Sequence, residues 1–173
     1  MIVCVEAKIQ PHVEKILRNI VYKLILDEEP EIAHRVSKIT ELLGLYIPTE
    51  YLIPMIVSHL NDQEAKQVPM FVQSCLMALS CVIINSSVNF AEQFDAQVDQ
   101  LLDLIISSDY LQSENVDVLA RTAIVTHNIV YAGGALSCKP RQHNLFKILL
   151  QLGSSPLLEM QRAQVNGTLN LLA

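Results

Sequence analysis

The strongest constraint on this chain is a pair of helical segments that recurs every forty-odd residues. Near Arg35 stands IAHRVSKITELL, followed by YLIPMIVSHLND, FVQSCLMALSCVI and FDAQVDQLLDLIISSD. LARTAIVTHNIV, NLFKILLQLGSS and MQRAQVNGTLNLLA complete the series. Taking Arg35, Ser74, Arg121 and Arg162 as equivalent positions gives spacings of 39, 47 and 41 residues. One helical hairpin cannot hide its apolar side alone, so a two-helix unit at this period predicts hairpins stacked into a solenoid. Such an object acts by offering a long surface to other molecules.

The elements follow from apolar spacing and from proline and glycine. Pro11 opens a first helix whose stripe is Val13, Ile16, Leu17, Ile20, Val21, Leu24 and Ile25. After the acidic turn Asp27-Glu28-Glu29-Pro30, a second helix carries Ile32, Val36, Ile39, Leu42 and Leu43 and is expected to stop near Gly44. Pro48 and Thr49 begin a third, with Leu52, Ile53, Ile56, Val57 and Leu60 inward and Pro54 in its second turn. Residues 68–84 are almost wholly apolar and predict a helix covered on most sides. The helix over 90–106 is amphipathic, with Phe94, Val98, Leu101, Leu102 and Ile105 on one face. Another helix spans about 116–132, Gly133-Gly134 reads as its stop, and Pro140 and Pro156 mark two further starts. No segment alternates with period two, so the fold class is all-α, a single solenoid unit over residues 1–173. The last helix ends on apolar residues without a polar cap, which leads us to expect part of a longer repeat protein.

Composition narrows the chemistry. Hydrophobic residues make up 51% of the 173, yet we expect no apolar run of the ~18–20 residues that a membrane span needs. With no basic leader before a cleavable apolar stretch, we expect a cytoplasmic protein with no membrane partner. Cys4, Cys75, Cys81 and Cys138 match no metal-ligand spacing and read as reduced, mostly buried thiols. No glycine-rich phosphate cradle and no nucleophile motif is present, so neither cofactor nor metal nor enzymatic activity is expected. His127 falls on an apolar face and is expected to be a hydrogen-bonded core histidine. His12, His34, His59 and His143 read as lying near helix ends or on polar faces.

Charge is distributed unevenly. Between Lys66 and Arg121 there is no lysine or arginine, while seven carboxylates make residues 67–120 net −7 in a chain of net −6. Asp95, Asp99 and Asp103 recur every fourth residue beside the apolar face of their helix. This line suits a basic segment of another protein, and the bland alternative is a solvated helix face. It argues against nucleic acid, whose phosphates need a basic surface. Lys139, Arg141, His143 and Lys147 form a small basic set at the start of the next helix, open to an acidic partner or simply balancing the acidic segment.

YLIPMIVSHLND (Tyr51 to Asp62) resembles the inner helix of the HEAT family, and DEEPEIAHRVSKITELLG (Asp27 to Gly44) is similar to its outer helix. The resemblance covers essentially the whole chain and is clearest in these two segments. ELLGLYIPTEYLIPMIVSHL is similar in kind to the repeats of HEAT proteins that assemble axonemal dynein arms. The family implies a right-handed α-α superhelix, here of about four helical pairs, acting as a non-enzymatic scaffold or adaptor. It also implies that the second helix of each pair lines the concave face. On that analogy the helix over 90–106 is a second helix, and the contact residues are Glu50, Asp95, Asp99, Asp103 and Arg141. The family's arginine after the outer-helix aliphatic position is Ala33 here, and its counterpart after Asp62 is missing, so its aspartate–arginine ladder is not implied. The alternative is a regulatory helical domain of a larger protein that carries an enzyme elsewhere.

Overall fold

The computed structural model describes residues 8–89, 91–107, 110, 113–154, 159 and 162–173. Among them there is no strand. Helix α1 covers residues 10–24, beginning as a 3-10 turn (Gln10–His12) and widening to a π-helical turn over Leu17–Val21. There follow α2 (Pro30–Tyr46), α3 (Thr49–Asn61), α4 (Pro69–Asn89), α5 (Ala91–Ser107), α6 (Val116–Cys138), α7 (Gln142–Ser154) and α8 (Arg162–Leu172). Prolines stand at the starts of α1, α2 and α4, where a missing N–H costs nothing. Asn115 caps α6, its Oδ1 accepting the amides of Asp117 and Val118 at 3.1 Å each.

These helices form two layers. The even-numbered α2, α4, α6 and α8 pack side by side in chain order, and the odd-numbered helices cover them. The closest partnerships across the layers are α3 with α4, α5 with α6 and α7 with α8. With α1 and α2 this makes four hairpins in a row, as the period predicts. One continuous core runs between the layers, from Val13 and Leu17 through Leu52, Leu79 and Leu101 to Leu149 and Leu172.

Polar side chains tie hairpin to hairpin at the repeat period. Within the even layer, Ser86 Oγ donates to the Gly44 carbonyl at 3.1 Å, and Asn128 Nδ2 donates to Ser80 Oγ at 2.6 Å. His127 Nδ1 and Thr168 Oγ1 are hydrogen-bonded at 2.9 Å, so the expected hydrogen bond is there, but His127 is half-buried and not a core residue. In the odd layer, the hydroxyl of Tyr51 donates to the Gln10 carbonyl at 3.2 Å, and that of Tyr110 to the Leu60 carbonyl at 2.5 Å. Separations along these bonds run from 41 to 50 residues. Each satisfies a buried or half-buried group that would otherwise be expensive, and each locks the register between neighbours.

Several local expectations need correction. The stop expected near Gly44 falls two residues on, at Tyr46, and the glycine has a further role. A Cβ at Gly44 would meet Val82 Cα and O at 2.9 Å, so the glycine is there because α4 crosses almost backbone to backbone. Ile39 and Leu42 are exposed, not inward, and the buried set of α2 is Val36, Thr40, Leu43 and Gly44. Ile20 is also exposed, while Tyr22, passed over in the spacing, is buried. The π turn over Leu17–Val21 widens the helix there and rotates the face. The stop expected at Gly133-Gly134 does occur: Gly134 takes a non-helical φ 74°, ψ 163°, and the part of α6 that runs on to Cys138 is a second helical stretch across that kink. A span-length window does exist, since Pro69–Ser86 is long and apolar enough to cross a membrane. More than half of it is buried, between α2 and α6 and beneath α3, which accounts for its apolarity within the fold. The expected start at Pro156 lies outside the described residues, as does Cys4.

Candidate protein-binding surface

Helix α5 is amphipathic, and its apolar side is buried at Phe94, Val98, Leu101, Leu102 and Ile105. That leaves Asp95, Asp99 and Asp103 on its exposed side. Arg141 arrives from the next hairpin, on the 3-10 turn Lys139–Arg141 that leads into α7. Its Nε and Nη2 donate to Oδ1 and Oδ2 of Asp103 at 2.7 and 2.8 Å, a two-pronged match of guanidinium to carboxylate. Nη1 donates to Asp99 Oδ1 at 2.5 Å. The hydrogen bonds from Arg141 hold the Asp103 carboxyl below its ordinary range, and the same bonds raise Arg141.

The structure therefore gathers three of the five expected contact residues into one cluster, with two carboxylates already engaged. Asp95, one turn earlier, is exposed and has no ion-pair partner among the described residues. Glu50 is exposed in the first turn of α3, the neighbour of α5 in the odd layer. The hairpin order corrects one expectation drawn from the family. Helix α5 packs most closely on α6, which follows it, so it is the first helix of its pair and not the second. The cluster also supplies one aspartate–arginine link between neighbouring repeats, built from residues other than the family's usual positions.

A second constellation escaped the sequence reading. His59 lies in the last turn of α3, near a helix end as expected, but buried, and Tyr22 of α1 donates its hydroxyl to His59 Nδ1 at 2.8 Å. The rings meet edge to face, and Phe71 of α4 packs against Tyr22 in the same way. Burial raises the Tyr22 phenol far above its usual range, so it stays a donor. Burial first, then Arg18, lowers His59, so its ring is neutral and accepts at Nδ1. Glu14 Oε1 stands 4.0 Å from Nε2. Cys75 hydrogen-bonds to Tyr22 and is pushed up to about 12 by burial, a thiol and not a nucleophilic thiolate. Carboxylate, imidazole, phenol and thiol are in line, but with no exposed reacting atom the line joins α1, α3 and α4. The sole advance signal was the i, i+37 spacing of Tyr22 and His59, close to the repeat length.

Helical hairpins stacked in two layers, joined at the repeat period and exposing charged helix faces, define a helical-repeat scaffold protein. The HEAT-repeat domain of dynein axonemal assembly factor 5 matches residues 1–155, and the chain belongs to that family. No curated protein and no solved structure matches it.

Proposed function

We propose that this chain is a non-enzymatic, cytoplasmic scaffold that holds protein subunits during the assembly of axonemal dynein arms. The observation that carries this reading is the family match across residues 1–155, which coincides with a stack built of repeated hairpins. The acidic side of α5 is the proposed seat for a basic segment of a partner. Asp95 receives it first, Glu50 extends the acidic surface, and Arg141 holds Asp99 and Asp103 until a partner's cation competes for them. Attraction between exposed charges weakens with salt, so binding should fall as ionic strength rises.

The test is direct binding of purified dynein-arm subunits to the immobilised chain. Asp95→Asn should weaken the interaction several-fold, and Arg141→Ala, which frees two carboxylates, should strengthen it. Absence of binding by any dynein-arm subunit would sink the assembly reading. Binding that ignores both substitutions would leave the scaffold in place and remove the acidic seat.

A further inference from the structure

The outward face of the even layer carries an apolar crest. On α4, Met70, Met77, Cys81 and Ile84 fall on one side of the helix, and no charged residue occurs anywhere between Pro69 and Asn89. Met70 is 65% exposed and Ile84 48%, while Met77 and Cys81 are half-buried. Beside it on α6 runs Ile124, His127 and Tyr131, the last 68% exposed with its ring stacked on His127.

One charge stands on each side of this crest. From α6, Arg121 lays Nη1 against Met77 Sδ at 3.0 Å, and among the described residues no carboxylate lies within ion-pairing distance of it. On α2, Glu41 stands one turn before Gly44, where that helix meets Val82 of α4, and among the described residues its one ion pair is with Lys38 of the same helix. The middle of α4, around Met77 and Cys81, thus lies between Glu41 on the α2 side and Arg121 on the α6 side. A half-buried guanidinium whose partner is a thioether is an incomplete arrangement, because its donors are better satisfied by a carboxylate.

We propose that this face is the contact of a homodimer, with α4 of one copy on α4 of another about a two-fold axis running along that helix. Such a rotation exchanges the α2 and α6 sides. Glu41 of each copy then meets Arg121 of the other, twice, while Met77, Cys81 and Ile84 lie over their own equivalents. The surface is self-complementary, as a two-fold contact requires. Three helices about 9 Å apart, over the ~21 Å from Met70 to Ile84, present about 600 Å² per copy. That is near the low end for a specific interface and fits a dimer that forms reversibly at micromolar concentrations.

Sedimentation velocity from about 1 to about 200 µM reads the equilibrium, with a dissociation constant of tens of micromolar expected. Glu41→Arg and Arg121→Glu should each weaken the dimer at least about tenfold by setting like charges together. The two changes combined should restore it to within about threefold of wild type, since the reciprocal pairs re-form with reversed sign. Ile84→Asp, at an exposed site, should weaken it without rescue, and circular dichroism verifies that each variant is folded. A monomer at every concentration overturns the proposal, even if the same face then binds a different chain. So does a double variant no tighter than the single ones.

Discussion

At His59 an imidazole on α3 meets Tyr22 of α1, and its charge state is set by where it sits. Desolvation, reinforced by Arg18, lowers its folded pKa below the unfolded value near 6.5, and desolvation does the same to His127. In both cases the unfolded chain takes up protons that the folded chain refuses. Stability therefore declines as pH falls below about 6.5, with a slope of at most about 1.4 kcal/mol per pH unit for each histidine. Asp103 acts lower on the scale. Its folded pKa is depressed by Arg141, so its contribution is intact above the ordinary aspartate range and is lost as pH falls through the depressed value. The interval from about pH 6.5 to 5 consequently belongs to the imidazoles. Urea unfolding across that interval should show a falling midpoint for wild type and a shallower fall for His59→Gln. Replacing His127 with glutamine as well should flatten it further. Equal slopes in all three proteins would show that neither ring is held neutral by the fold.

Within the elements, the two informative glycines act for different physical reasons. Gly44 is demanded by space, since any Cβ would strike the backbone of Val82, and backbone cannot rotate aside. Gly134 is demanded by conformation, because φ 74° with ψ 163° is nearly closed to L-residues although a Cβ there would meet nothing within 4 Å. Gly44→Ala must part α2 from α4 and stretch the Ser86–Gly44 bond, at a cost of about 1–3 kcal/mol. Gly134→Ala should cost about 1–3 kcal/mol through backbone strain alone, leaving the packing of α2 on α4 untouched. Denaturant titration measures both, and a change under about 0.5 kcal/mol at Gly44 would contradict the close crossing. Sequence spacing could find the stripes of α3 and α5, because every residue assigned inward there is buried. It misplaced Ile20 in α1 and Ile39 and Leu42 in α2. A π turn rotates the first, and among the described residues the second has its even-layer neighbour in α4 alone, with Ile39 and Leu42 exposed. Nor can spacing tell a glycine that ends a helix from one that lets another helix approach. Arg141 with Asp99 and Asp103 lay 42 and 38 residues apart, so the period itself held the clue that they meet.

The molecule as a whole is a line of hairpins, and a line transmits disturbance differently from a globule. Helix α8 rests on α6 and α7, while α2 rests on α1 and α4. Between these ends the even layer has three successive junctions, α2 on α4, α4 on α6 and α6 on α8, each made of nearest-neighbour packing and a few polar bonds such as Asn128 to Ser80. In such a stack the stability is close to a sum of hairpin and junction contributions, so damage to one junction should fade with distance along the chain. Hydrogen exchange on the Gly44→Ala protein provides the measurement. Amides of α1, α2 and α4 should exchange faster by about tenfold or more, the equivalent of 1.4 kcal/mol lost at their junction. Those of α8 should stay within about twofold of wild type, because opening there breaks only its contacts with α6 and α7. A uniform acceleration across all the helices would mean that the hairpins unfold as one cooperative body. Binding at one hairpin would then be felt at every other, and a scaffold of this kind would present its surfaces all together or not at all.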